Sequence, residues 1–295
     1  RAAAQDARPL RGEDVRYRND TLTLAAELLL PAASAGPVPA AVVIQGSGTS
    51  DRRNAWARAA AAELVQRGIA VLLTDKRGSG ASGGDWRTAC FDALAADALA
   101  GVAFLRGRAG IDATRVGLLG LSQGGWIAPL AASRAPDVAF VIDVSGAAVT
   151  YAEQSFVEMG NTARQAGLPD AQVAEVLALN AAAGRYVAGG PWAPYARLRE
   201  RALAGPWARI AAGFPATADQ PIWTSLRRVF AFDPIPYWML VSAPVLVAYG
   251  EEDERDNVPV QESVRRLEFA FRSTAKRNFR VVVAPGVGHT VMDLR

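Results

Sequence analysis

Gly120-Leu121-Ser122-Gln123-Gly124 sets a serine between two glycines at the spacing of a sharp turn from strand into helix, a turn that leaves the hydroxyl exposed at a sheet edge. A free serine hydroxyl is a weak nucleophile at neutral pH and needs a base beside it. The chain has one histidine, His289, in Pro285-Gly286-Val287-Gly288-His289. An imidazole that takes the serine proton needs a carboxylate to orient it and to stabilise its charged form. Asp253, closing Tyr249-Gly250-Glu251-Glu252-Asp253, supplies one and gives the order serine, acid, histidine along the chain. Glu251, Glu252 and Asp256 are near enough to compete, and Asp143 is a poorer candidate because it falls inside a predicted strand. Asp256, beside Asn257 and Val258-Pro259, reads as a cap for the helix that follows. The chemistry this set supports is acyl transfer, in which charge grows on a carbonyl oxygen and needs preorganised backbone donors. The amide of Gln123, opening the elbow helix, is one candidate donor, and the amide of Ser47 in Gln45-Gly46-Ser47-Gly48 is the other. A second match to the serine pattern, Gly80-Ala81-Ser82-Gly83-Gly84, lies in a glycine-rich loop with no helix behind it, so Ser82 reads as a loop serine.

These residues need a scaffold that brings distant loops to one edge. Short, nearly continuous apolar runs at Val38 to Ile44, Ala70 to Thr74, Val116 to Leu121, Val138 to Val144, Val245 to Tyr249 and Arg280 to Val283 suit strands buried on both faces. Helical patterns lie between them, from Asn54 to Gln66 with Gly68 closing it, Phe91 to Leu105, Gln123 onward and Val260 to Phe271. Alternation of this kind predicts an α/β fold, a mostly parallel β-sheet flanked by helices. Val15 to Tyr17 and Thr21 to Leu30 predict an antiparallel pair turning at Asn19-Asp20. From about Ala147 to Tyr237 the pattern changes to alanine-rich helical stretches broken by Gly189-Gly190-Pro191, Pro215 and Pro234. The expected organisation is therefore a core of residues 1–146 and 238–295 with a helical cap insertion over 147–237.

Composition narrows the function classes. Half the residues are apolar and about a fifth charged, as in a folded globular protein. The net charge of +3 comes from scattered arginines and does not suggest nucleic acid. A lone cysteine, Cys90, rules out an internal disulfide and a zinc-cysteine site, and a single histidine rules out a histidine-rich metal site. No apolar run reaches the roughly 18 residues of a membrane span. Ala2-Ala3-Ala4-Gln5 reads as the remnant of a signal-peptide junction, consistent with a periplasmic or secreted protein, and a trimmed cytoplasmic chain would look the same. Neither cofactor nor metal is implied, and the oligomeric state is not readable.

Several weak motifs in one order carry a resemblance. Gly46-Ser47-Gly48 with Asp51-Arg52, then Asp75-Lys76-Arg77-Gly78-Ser79-Gly80, Gly120 to Gly125, Gly250 to Pro259, and Gly288-His289 resemble the α/β-hydrolase superfamily across nearly the full chain. The Gly-Ser-Gly loop and the Asp-Lys-Arg-Gly segment resemble bacterial esterases related to the catalytic domains of prolyl-oligopeptidase-like enzymes. The resemblance implies a serine hydrolase with Ser122, His289 and Asp253 as triad, and Asp75 and Arg77 as braces beneath the site. Two departures stand out. Gln45-Gly46 replaces the His-Gly of many relatives, which points to an altered oxyanion loop, and the chain ends soon after His289, where a closing helix is usual.

The expected substrate is a small carboxylic ester. Trp192, Trp207, Trp223, Phe230 and Trp238 either line an acyl or alcohol site or form the cap's own core. A peptidase or an acyltransferase would use the same acyl-enzyme, and a ligand-binding protein without turnover would have no need of serine, histidine and acid together.

Overall fold

The computed structural model describes residues 12–32 and 34–291; the Ala2 to Gln5 segment lies outside them. A sheet of eight strands carries the molecule: β1 (Gly12–Asn19), β2 (Leu22–Leu29), β3 (Val38–Ile44), β4 (Ala70–Thr74), β5 (Ile111–Leu121), β6 (Val141–Val144), β7 (Val245–Gly250) and β8 (Phe279–Ala284). Their spatial order is β1-β2-β4-β3-β5-β6-β7-β8, with β1 and β2 antiparallel and the strands from β4 through β8 mutually parallel. The first hairpin turns on Asp20-Thr21 rather than Asn19-Asp20, because Asn19 still pairs with Leu22 and Asp20 takes the left-handed conformation. β5 begins earlier than the apolar run suggests: Val38 pairs with Ile111 and Ala40 with Val116, so a bulge lies between. β6 is shorter, since the residues around Pro136-Asp137 turn before pairing begins at Val141.

Burial of β3 and β4 on both faces explains their unbroken apolar sequence. On one face α1 (Ala55–Gln66) sets Ala57, Ala60, Ala61 and Val65 against Leu29, Val43, Leu73 and Leu121, its alanines letting the helix lie close to the strands. Asn54 caps it, accepting from the amide of Ala57 at 3.0 Å. On the other face α2 (Phe91–Arg106) and α3 (Gly124–Arg134) cover Val42, Leu72 and Leu118. Each fully buried leucine contributes about 1.5–3 kcal/mol from area alone. Replacing Val43, fully buried, with aspartate would strand a charge there and break the sheet.

Between β6 and β7 run α4 (Tyr151–Gln165), α5 (Asp170–Val187), α6 (Trp192–Leu203), α7 (Ala208–Ala212), α8 (Pro221–Val229) and α9 (Ile235–Leu240). A capping box starts α4, with Thr150 accepting from the amide of Glu153 and Glu153 accepting in return. α4 to α8 bury a second apolar core around Val176, Leu179, Tyr195 and Trp223, distinct from the sheet's. α9 belongs with the sheet: Trp238 packs edge-on against Phe271 of α10 (Val260–Ser273). No helix among the described residues is long and apolar enough to cross a membrane.

Candidate active site

Parallel strands end together, and the loops leaving their carboxyl ends share one crevice. β5 delivers Ser122, β3 the loop from Gln45, β7 the short turn Glu251–Arg255, and β8 the loop to His289.

The elbow at Ser122 is locked by backbone. Ser122 has φ +52, a conformation uncommon for residues with a side chain, and its amide donates to Val144 O at 2.9 Å. A Cβ on Gly124 would collide with the Ile44 carbonyl oxygen, and one on Gly125 with the Asp143 carboxylate and Gly146. Glycine is therefore required where the helix start passes under β3 and β6, and that contact holds the serine up at the edge. The Ser122 side chain is half-buried.

Asp253 and His289 meet: Asp253 Oδ2 lies 2.7 Å from His289 Nδ1, and the aspartate is fully buried while the histidine is partly open. That places the proton of a neutral imidazole on Nδ1 and leaves Nε2 free to accept. The loops carrying the two are joined by backbone, with Glu252 N donating to Val287 O at 3.0 Å and Gly286 N to the Glu251 carboxylate at 3.1 Å. Glu251 and Glu252 are exposed and serve the loop rather than the ring. Asp256 is exposed and does not cap α10. Pro259 occupies the cap position, and Glu254 takes the Gln261 amide at 2.8 Å, its longer side chain reaching a first-turn donor.

Two residues that the sequence reading passed over also hold His289. Ser145 Oγ donates to the His289 carbonyl at 2.6 Å, and the indole of Trp56 lies 5.3 Å from the imidazole, its Nε1 donating to Thr290 O at 2.9 Å. The indication in the sequence was the Ser145-Gly146 pair at a strand end; nothing marked Trp56. Among the described residues no hydrogen bond joins Ser122 to His289, a contact often loose until substrate is bound.

Neither the Ser47 nor the Gln123 amide donates to a protein acceptor among the described residues. Gln45 turns inward, donating to Thr74 O at 2.9 Å and accepting from Ser50 Oγ at 2.9 Å, so it ties the loop to β4. Asp75 accepts from Arg52 and from the Ala81 amide; burial opposes its ionisation, but these donors outweigh burial and hold it below the usual carboxylate range. Arg77 pairs with Asp97 at 2.6 Å. Ser82 bridges Ala25 N and Asp75 O, which accounts for it as structure. Asp143 is pushed up to about 8 by burial, against the opposing hydrogen bond from the Gly146 amide, and its Oδ2 has no partner among the described residues.

A cavity of about 670 Å³ lies among the helices, walled by Met159, Ile210, Trp223, Leu226 and Phe230 with Glu158 at its side. Trp223 and Phe230 line it while also packing in the helical core with Trp192 and Trp207, whereas Trp238 lies in the sheet's core and takes neither expected role. α4 is lashed to the Asp253 turn, with Asn161 Nδ2 donating to Glu254 O at 3.1 Å and Gln165 Nε2 to Arg255 O at 2.7 Å. Burial raises the pKa of the Glu158 carboxyl, Asp256 adds to the rise and His289 opposes it; neither Ser122 nor His289 lines the cavity.

Residues 20–255 match the family model described as X-Pro dipeptidyl-peptidase (S15 family). No curated protein matches the chain in sequence. Among solved structures the chain is similar to an esterase from Pyrococcus furiosus, with 17% identity and a TM-score of 0.61 over 96% of this chain and 84% of that one. It is similar to Est1E from Butyrivibrio proteoclasticus, described with ferulic acid bound, with 19% identity and a TM-score of 0.59 over 94% and 91%. Dienelactone hydrolase from Anabaena variabilis aligns at 17% identity and a TM-score of 0.56 over 97% and 91%.

Proposed function

The chain belongs to the X-Pro dipeptidyl-peptidase (S15) family and is a hydrolase of the α/β-hydrolase superfamily, and from that premise we propose that it cleaves small carboxylic esters through an acyl-enzyme on Ser122. One observation carries the reading: a buried Asp253 held 2.7 Å from the ring of the sole histidine, on the sheet edge where Ser122 stands at φ +52.

Ser122 Oγ attacks the carbonyl carbon as its proton passes to His289 Nε2. The carbonyl π pair moves onto oxygen, where the amides of Ser47 and Gln123 receive it. Asp253 keeps Nδ1 protonated and stabilises the imidazolium without itself taking the proton. Collapse breaks the bond to the alcohol, which leaves with the proton from Nε2. Water then attacks the acyl-enzyme by the same route in reverse, releasing acid and restoring Ser122. Residues 147–237 act as a cap, and its cavity of about 670 Å³ receives the acyl or alcohol group.

A second reading has its own support. The family's description names release of an X-Pro dipeptide, and Glu158 gives the cavity a carboxylate with no hydrogen bond or ion pair among the described residues, which would suit a substrate ammonium. A panel of p-nitrophenyl esters of rising acyl length, run beside aminoacyl-prolyl anilides, tests the two. Ester turnover that vanishes in Ser122→Ala supports esterase chemistry; turnover of the anilides alone would replace it with the peptidase.

A further inference from the structure

Lys76 follows β4, is almost fully buried, and plays no part in the chemistry above. Its Nζ donates to Gly46 O at 2.8 Å and to Gln123 Oε1 at 2.7 Å, and it lies 5.5 Å from the centre of the Trp86 ring. Trp86 in turn donates from Nε1 to Thr49 Oγ1 at 3.2 Å, at the other end of the same loop. One of the oxygens that Lys76 holds is the carbonyl of the peptide whose N–H is the Ser47 donor, and the other is the side chain of Gln123, the second donor residue. Gly46 O and Ser47 N are opposite ends of one planar trans peptide, so gripping the carbonyl from one side aims the N–H to the other. Gln123 contributes its own amide as the second donor, and its side chain is bound to the same nitrogen. The loop runs beside the elbow: a Cβ on Gly46 would stand in ordinary van der Waals contact with Ser122 Cβ, at 3.5 Å.

Resting on the acyl-transfer reading, we propose that Lys76 is the positioning residue of the oxyanion hole, fixing the Gly46-Ser47 peptide and the Gln123 side chain to one ammonium so that both amides face one point. A cation hydrogen-bonded to the far end of a peptide also polarises its N–H, strengthening the donor at the moment charge appears on the substrate. Burial brings the Lys76 ammonium down to about 7, so holding it there is unfavourable for the fold in isolation. Gln45 fixes the loop to β4 at its start, and Lys76 fixes it to the elbow one residue later.

The test is Lys76→Met measured with a p-nitrophenyl oxo-ester and the matching thiono-ester, whose sulfur is a poor hydrogen-bond acceptor. Loss of one oxyanion donor lowers kcat by about 10²–10³, and misaiming both is expected to cost on the order of 10² with the oxo-ester. KM and Tm should stay close to wild type, and the oxo-to-thiono rate ratio should shrink, which a merely structural lysine would not produce. Gln123→Met cuts one arm of the bridge while keeping the amide; it should cost less, and its effect should be absent in the Lys76→Met background. Lys76→Met with unchanged oxo-ester kcat overturns the proposal. If that variant does not fold, Gln123→Met with an unchanged oxo-to-thiono ratio overturns it. A wild type inert to esters and to fluorophosphonate overturns the acyl-transfer reading and this proposal together, whereas an active wild type indifferent to Lys76 overturns this proposal alone.

Discussion

The strand-end loops and the helical segment between β6 and β7 are held by different forces. Around Ser122 the limits are set mostly by backbone: Gly124 under the Ile44 carbonyl, Gly125 against Gly146 and the Asp143 carboxylate, and Gly250 against the carbonyls of Val287 and Gly288. In the core of the helical segment the contacts are side chain against side chain, in a cluster where Trp192 and Tyr195 lie 5.9 Å and 5.3 Å from Trp223. A backbone wall admits almost no change, while a rotamer can move aside. In the proposed chemistry the first region would fix which bond is made and broken, and the second what fits beside it.

The largest effect that would sharpen this contrast is Asp253→Asn. It keeps the shape of the turn but presents the wrong hydrogen-bonding partner to His289, and kcat is expected to fall by about 10⁴ with Tm little changed. Near-normal turnover in that variant, with loss in Asp256→Asn, would move the acid into the exposed part of the loop. Next comes a matched pair of glycines. Gly124→Ala drives a methyl into the Ile44 carbonyl, so the elbow must shift, and a displacement of about 1 Å costs on the order of 10² in kcat. Gly184→Ala meets only the ring of Phe230, which can rotate into the cavity. That variant should keep the fluorophosphonate labelling rate and shorten the preferred acyl chain on the ester panel. Equal loss of labelling in both glycine variants would abolish the distinction between the regions.

The smallest expected effect concerns stability. Asp143 carries a pKa of about 8 in the fold against 3.8 when free, so between those values the folded state holds a proton that the unfolded chain has released. The stability it lends is complete below about 4 and is lost as pH climbs through about 8. Asparagine, nearly isosteric, has no such loss. The Tm of Asp143→Asn relative to wild type should therefore rise steadily from pH 5 to 8 and level off above; a difference independent of pH would contradict a neutral Asp143.

The same contrast decides what could be read from sequence. Ser122, Asp253 and His289 stand one, three and five residues after the ends of β5, β7 and β8, beside glycines that only a tight turn explains, so their shared edge follows from the parallel sheet. The alternating strands and helices, and with them the α/β-hydrolase fold, were legible for the same reason. Trp56 and Lys76 were not, because each reaches the site from another element through a side chain, and no local period records where a lysine four carbons long will end; Ser145 was marked only by its place beside Gly146 at a strand end. The capping role expected of Asp256 failed on a similar point: Glu254, with one more methylene, reaches the amide instead. The aromatics of the helical segment looked alike in sequence, and only packing separates cavity wall from core.

The proposed chemistry stands or falls with acylation of Ser122. Incubation with a fluorophosphonate, followed by peptide mass mapping, measures it directly. A single adduct on Ser122 is expected, lost in Ser122→Ala and retained in Ser82→Ala, with ester turnover following the adduct. An adduct that persists in Ser122→Ala, or ester turnover that survives it, would show that Ser122 is not the nucleophile.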